Sequence, residues 1–469
     1  MNVEFYSWGA AQEVTGSKHF IKFDNQIIQI DCGAFQGKRD ESDRKNREWP
    51  FNAEEVNSLI LTHAHYDHSG LIPLMSKNGF KGNVYSTPAT RALASLIMMD
   101  SAHIQAKDLE YLEKRARKKG EIFNAEPLYT EQDVVGSLNL FVTVSYERPV
   151  TVANDAQISF YDAGHILGSA IPVLTIHDNG KVLTIGCAGD LGRKNLPILR
   201  DPQPLPDLDY LVIESTYGHR LHDPINSAMD KLAAVISRTI ERGGKVIIPA
   251  FAVERTQELI YFLHLLNDQN RIPSVPIYID SPMATNATAI FRVHQECYDM
   301  ETREAFLKHH KNPFGFADLH YITNTEESKK LNKKEEPAII IASSGMCEAG
   351  RILHHLKNNI ENDKNTIVIV GFMAQHTLGR RIKEQQKYVK IFGEEYTLRS
   401  EVVTLNTFSA HADYNEIIDF VSAVNQNRLK HIFLVHGEED AQSNLKSLLD
   451  QKGYPTTIVA YNERYKLDF

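Results

Sequence analysis

The segment His63-Ala64-His65-Tyr66-Asp67-His68-Ser69-Gly70 constrains this chain more than any other. Three imidazoles and a carboxylate fall within six residues, directly after the apolar, β-like run Ser58-Leu59-Ile60-Leu61-Thr62. On an extended stretch alternate side chains share a side, which puts His63 and His65 together. Asp67 and His68 then turn toward a second point, so one strand exit could serve two metals. Neutral imidazole and carboxylate oxygen suit zinc where no thiolate is at hand. A polar loop that happens to be rich in histidine is the competing reading, and the spacing H-x-H-x-D-H at a strand end weighs against it.

Thiolates are not at hand here. Cys32, Cys187, Cys297 and Cys347 are scattered without a C-x-x-C pair, which suggests neither a disulfide framework nor a cysteine zinc site. The 469 residues, 42% apolar and 24% charged, suffice for two or three domains with a large core. No apolar run approaches membrane-spanning length and the N-terminus lacks signal-peptide order, so no membrane association and a cytoplasmic location are expected. A net charge of -9 argues against a general coat of nucleic-acid-binding charge, although a local basic cleft is compatible with it.

Residues 17–32 read as a hairpin about Asp24-Asn25 that ends at Asp31, and residues 169–190 repeat the pattern about Asp178-Asn179-Gly180 and end at Asp190. The repeat suggests two related β-rich halves with Asp31 and Asp190 arriving from equivalent strand ends; two unrelated hairpins explain it about as well. Helical spacing runs through residues 90–118, and the charged stretch Lys114 to Lys119 reads as a solvated helix face rather than an RNA patch. Thr130-Glu131-Gln132-Asp133 reads as a helix N-cap box. His165 stands between Gly164 and Gly168, where the backbone can turn tightly. From about residue 208 short apolar runs alternate with amphipathic segments, which argues for βαβ units and a mostly parallel sheet. The polar stretch Asn324 to Glu336 reads as an exposed connection.

HAHYDHSG, with His165 and Asp190 following in order, resembles the signature of the metallo-β-lactamase superfamily. Three later segments sharpen the resemblance: Glu214-Ser215-Thr216-Tyr217-Gly218, Phe408-Ser409-Ala410-His411-Ala412-Asp413 and Leu434-Val435-His436-Gly437-Glu438. They look like motifs A, B and C of the β-CASP nucleases, whose hydrolase domain carries an inserted domain. Met373 and His376 depart from the pattern, since relatives often carry glutamine and a smaller residue there. The resemblance implies an α/β fold, a metallo-β-lactamase αββα sandwich with an inserted Rossmann-like β-CASP domain. The hydrolase domain would occupy 1–207 and be completed by 399–469, with the β-CASP domain at 208–398. Histidine at motif C favours RNA over DNA. The lack of N- and C-terminal additions argues against the archaeal KH-containing forms and ribonuclease J.

By the same resemblance the chain holds two Zn2+. His63, His65 and His165 would bind one, Asp67, His68 and His436 the other, and Asp190 would bridge. Asp31, Asp67, Glu214 and His411 form the expected catalytic set, with Asp31 behind the ligands, His411 as general acid and Glu214 orienting it. Ser343, Ser344 and Gly345, together with Arg255, Arg351 and Arg380, are candidate contacts to the RNA backbone. The expected activity is zinc-dependent hydrolysis of RNA by metal-activated hydroxide, endonucleolytic with room for 5′–3′ exonuclease action, on an RNA expected to be single-stranded. A homodimer would be unsurprising. A thioester or other small-molecule hydrolase of the superfamily, or a catalytically silent RNA-binding subunit, are the alternatives; motifs A to C weigh against the first and the intact ligand set against the second.

Overall fold

The computed structural model describes all residues except positions 38, 50, 223–225, 310, 311, 313, 372 and 406. The chain forms two compact units: Met1–Lys194, Arg200–Leu221 and Ala410–Phe469 make the first, Asn195–Leu199 and His222–Ser409 the second.

Alternation builds the first unit. Val3, Phe5, Ile21, Phe23, Ile28 and Ile30 occur at every second position of their strands and are buried on one face. Their strands, Val3–Ser7, His19–Phe23 and Gln26–Ile30, form a seven-stranded sheet with Ser58–Ile60, Asn83–Ser86, Phe141–Thr143 and Tyr465–Leu467. A second seven-stranded sheet runs in the order Thr456–Ile458, His431–Val435, Tyr210–Glu214, Lys181–Ala188, Ala170–Asp178, Ala156–Asp162, Val150–Ala153. Phe160, Leu183, Val212 and Phe433 from this sheet join the same buried cluster as Phe5 and Ile28, so the two sheets pack face to face. Each fully buried large apolar side chain contributes about 1.5–3 kcal/mol.

Helices cover the outer faces. Tyr414–Ser422 and Glu439–Gln451 bury Ile417, Val421, Leu445 and Leu449 against Leu211, Ile213, Ile432 and Leu434 of the second sheet. On the other side Pro88–Lys119 touches strand Phe141–Thr143. Thr87 caps that helix by accepting from Thr90 N, Pro88 needs no partner at the first position, and Gly120 ends it in the left-handed region at φ 71. Its terminal lysines and arginines are exposed, as a solvated face requires. The N-cap box at Thr130 and Asp133 is present, with both reciprocal hydrogen bonds. No helix among the described residues is long and apolar enough to cross a membrane.

The second unit holds a six-stranded, wholly parallel sheet in the order Leu319–Tyr321, Ile277–Ile279, Ile339–Ala342, Val246–Pro249, Thr366–Ile369, Glu401–Thr404, a Rossmann-like arrangement.

Three sequence expectations change. Tyr210–Glu214, expected to open the inserted domain at 208, lies in the hydrolase sheet, where it pairs in parallel with Lys181–Ala188 and His431–Val435. Glu401–Thr404, expected in the returning segment from 399, pairs with Thr366–Ile369 in the inserted sheet. The joins therefore fall at 221/222 and 409/410. Within Asn324 to Glu336 the chain forms helix Thr325–Lys333: Asn324 caps it, Glu326 and Glu327 sit in its first turn, Lys330 and Lys333 in its last, and Leu331 is buried.

Candidate metal centre

Strand ends and the segments that follow them carry the groups of the site. Strand Ser58–Ile60 delivers His63 and His65, and the short helix Tyr66–Ser69 turns Asp67 and His68 inward. Gly192 allows the loop behind His165 to close: a Cβ there would lie 1.8 Å from the Gly164 carbonyl oxygen. Strands Tyr210–Glu214 and His431–Val435 run side by side, so Glu214, Thr216 and His436 emerge together.

His63 Nε2 and His165 Nε2 each face His65 Nδ1, at 3.1 and 3.2 Å. Asp190 Oδ2 stands 3.3 Å from His63 Nε2 and 3.2 Å from His165 Nε2. His65 Nδ1 carries at most one proton and cannot satisfy both neighbours, whereas a central cation satisfies all four atoms. Tetrahedral ligands at zinc–nitrogen distances of about 2.0–2.1 Å are separated by about 3.3–3.4 Å, close to the spacing found. A second group adjoins it. His68 Nε2 is 3.3 Å from His436 Nε2, and His436 Nε2 is 3.5 Å from Asp67 Oδ2. Asp190 Oδ1 lies 3.4 Å from His68 Nε2 and is buried without a hydrogen-bond partner among the described residues. Its two oxygens therefore face one group each, the placement of a bridging carboxylate, and the donor set fits a metal ion at either position.

Four of the imidazoles are held by a further polar group. Asp31 Oδ2 takes His68 Nδ1 at 2.7 Å, Thr62 Oγ1 meets His63 Nδ1 at 3.0 Å, Thr216 Oγ1 meets His436 Nδ1 at 3.1 Å, and the Ala410 carbonyl lies 3.4 Å from His165 Nδ1. Of these partners only Asp31 is legible beforehand; Thr216 sits inside a motif and Thr62 directly before one, but nothing in their type marks them.

Electrostatics separate the two groups. Burial, helped by the neighbouring His68, pushes the pKa of His63 down to about 4. Burial also lowers His65 and His165, which leaves lone pairs free. At His68 burial acts downward, but the Asp190 and Asp31 carboxylates outweigh it and hold it well above the ordinary value. Asp190, despite burial, is held well below the usual carboxylate range by His436, His68 and His411.

Beside this cluster His411 Nδ1 lies 3.0 and 3.1 Å from the two oxygens of Glu214, which is fully buried and also accepts from Leu191 N at 2.6 Å. Burial lowers the His411 pKa, but Glu214 and then Asp190 reverse it, lifting it to about 9. Its ring is one-fifth exposed.

The expected RNA contacts lie in the second unit. Ser343, Ser344 and Gly345 follow strand Ile339–Ala342 as anticipated; Ser343 Oγ pairs with Ser281 Oγ at 2.8 Å, and Ser344 Oγ accepts from Glu348 N and Ala349 N at 3.2 and 3.3 Å. Arg351 is committed internally: it donates to Asp280 at 2.6 Å and to the carbonyls of Ile322 and Thr323 at 3.0 and 2.8 Å. Arg255 is buried against Glu258. Arg380, bonded to Glu384 at 2.6 Å, remains partly exposed. Of the three arginines this one keeps a surface position, because the other two neutralise buried carboxylates.

Three domain families match the chain: a metallo-beta-lactamase superfamily domain over residues 20–184, a Beta-Casp domain over 256–382, and a Zn-dependent metallo-hydrolase RNA specificity domain over 395–459. Ribonuclease TTHA0252 of Thermus thermophilus is 35% identical over 97% of this chain and 98% of its own length. The transcription termination factor FttA of Methanosarcina mazei is 32% identical over 95% of this chain and 68% of its own, and that of Pyrococcus abyssi likewise 32% identical over 95% and 68%. A crystal structure of a protein of unknown function from Enterococcus faecalis V583 shares the fold, with a TM-score of 0.56 at 11% identity over both full chains. With its paired imidazole and carboxylate groups, and with His411 and His436 inside the RNA specificity match, the chain has a metal-binding site and belongs to the β-CASP ribonuclease family of the metallo-β-lactamase superfamily.

Proposed function

We propose that the protein is a dizinc ribonuclease that hydrolyses phosphodiester bonds of single-stranded RNA. The observation that carries this reading is the convergence of His63, His65, Asp67, His68, His165, Asp190 and His436 on two adjacent points beside the His411–Glu214 pair. In this reading His63, His65 and His165 would hold one zinc and Asp67, His68 and His436 the other, with Asp190 within reach of both. When bound, the cations lower the cost of deprotonating water and neutralise charge on the phosphate.

The remaining work belongs to the chain. Glu214 holds His411 by Nδ1, which leaves Nε2 to give a proton to the departing oxygen. Asp31 fixes the orientation of His68, and Thr62 and Thr216 do the same for His63 and His436. Ser343, Ser344, Gly345 and Arg380 are the proposed contacts to the RNA backbone. The intact ligand set and the Glu214–His411 pair favour catalysis over a silent binding role. Zinc-loaded protein assayed on a single-stranded RNA, the matched DNA and a simple thioester tests the reading. RNA alone should be cut, leaving 5′-phosphate and 3′-hydroxyl ends; thioester turnover with intact RNA, or no turnover at all, would overturn it.

A further inference from the structure

The ends of three neighbouring strands carry a buried polar chain that ends on the metal centre. Ser7 is the cross-strand partner of His19, and His19 of Ile30, which precedes Asp31. Ser7 Oγ lies 2.7 Å from His19 Nδ1, His19 Nε2 lies 3.1 Å from Ser17 Oγ, Ser17 Oγ donates to Asp31 Oδ2 at 3.4 Å, and Asp31 Oδ2 takes His68 Nδ1 at 2.7 Å. All five side chains are at most 2% exposed.

We propose that His19 is a positioning residue: its ring sets the direction of this chain, turns the Ser17 hydroxyl onto Asp31, and thereby keeps His68 Nε2 aimed at the metal. The inference rests on reading the cluster as a metal centre.

Burial, against the pull of Asp31, drives the His19 pKa down to about 3, so its ring is neutral at physiological pH and has one donor and one acceptor. If Nε2 carries the hydrogen, it donates to Ser17, Ser17 must donate onward to Asp31, and Ser7 donates to Nδ1. If Nδ1 carries it, Ser7 accepts from the ring and donates to the Gly9 carbonyl at 2.9 Å, Ser17 turns back toward the ring, and Asp31 loses a donor. The carboxylate favours the first arrangement, because each hydroxyl dipole then points toward it. Asp31 otherwise draws its support from Thr62, whose backbone N and Oγ1 donate to it at 2.9 and 3.0 Å. Thr62 Oγ1 is equally close to Oδ2, at 3.0 Å, but its single hydroxyl hydrogen serves one oxygen at a time; Ser17 adds a second donor at Oδ2, the oxygen that holds His68.

Three replacements of His19 separate direction from packing. Glutamine places its amide N–H near the former Nε2 and can still donate to Ser17; asparagine reaches only toward Ser7; leucine fills space without polarity. Zn2+ binding is titrated against a chromophoric chelator, with folding monitored by circular dichroism. The parent should bind two zinc ions. His19→Leu and His19→Asn should weaken one of them about tenfold or more while leaving the other unchanged, and His19→Gln should restore it. Equal zinc affinities in all three variants and the parent overturn the proposal, as does equal loss in all three, which would mean that ring shape alone matters. Should the leucine and asparagine variants not fold, Ser17→Ala decides: it removes one hydroxyl and must weaken the same single zinc. A parent that binds no zinc fails at the earlier step and overturns the metal-centre reading itself.

Discussion

His436 directly follows strand His431–Val435 and His411 stands just before helix Tyr414–Ser422, and their surroundings assign them different work. His436 Nε2 faces His68 and Asp67, whereas His411 Nδ1 is taken by Glu214. His436→Ala should lose bound zinc and activity together. His411→Ala should keep its zinc, measured by elemental analysis, and lose activity by about 10²–10⁴-fold; equal zinc and equal activity in the two would refute these roles. Glu214→Gln tests the coupling. The carboxylate raises the His411 pKa, and a proton donor fails as pH rises through that pKa. Removing the charge should therefore move the alkaline limb of the rate profile to lower pH; an unmoved limb refutes Glu214's part. Histidines and aspartates at these spacings are legible in the sequence because few other duties need that combination. Thr62, Thr216, the Leu191 amide and the Ala410 carbonyl are not, because their roles come from proximity in space alone.

At the scale of elements, the hairpins 19–30 and 170–188, the long helix and the capped helix at Glu131 follow from alternation, period and end residues. Tyr210–Glu214 does not. Five buried residues read equally well as the opening of a parallel domain, and only pairing with two strands far apart in sequence decides the matter. The loop holding Asp67 and His68 depends on an equally non-local contact. A Cβ on Gly33 would fall 1.5 Å from the Asp67 carbonyl oxygen, which also accepts from Ser17 N at 2.9 Å. Backbone cannot yield there as a side-chain tip can. Gly33→Ala should cost about 1–3 kcal/mol or more, read as a lower Tm, and weaken zinc binding. Unchanged melting and zinc content would show that the loop is more pliant than its packing implies.

Across the first unit, the groups that could hold a metal span positions 63 to 436, so a cation there would link segments that the sequence keeps apart. Such a site scarcely exists in the unfolded chain, and binding is then coupled to folding. Chelation should lower the melting temperature of this unit, and returning Zn2+ should raise it in a concentration-dependent way, by up to about 4 kcal/mol at a thousandfold excess over Kd. An identical Tm with and without chelator would remove the coupling. The sequence suggests two related halves meeting at Asp31 and Asp190, and both carboxylates do reach the centre from the ends of corresponding hairpins. Which sheet each late segment joins is set by long-range pairing and is not readable locally.

Strands Tyr210–Glu214 and His431–Val435 lie side by side although the segment His222–Ser409 of the second unit separates them in the chain. During synthesis the ribosome must therefore release that unit before the second neighbour arrives, and His411 and His436 are among the last contributions to the centre. A polypeptide that stops before His411 carries only part of the groups at the centre. Stalled nascent chains ending before His411 should leave RNA whole, and cleavage by them would show that the early groups suffice.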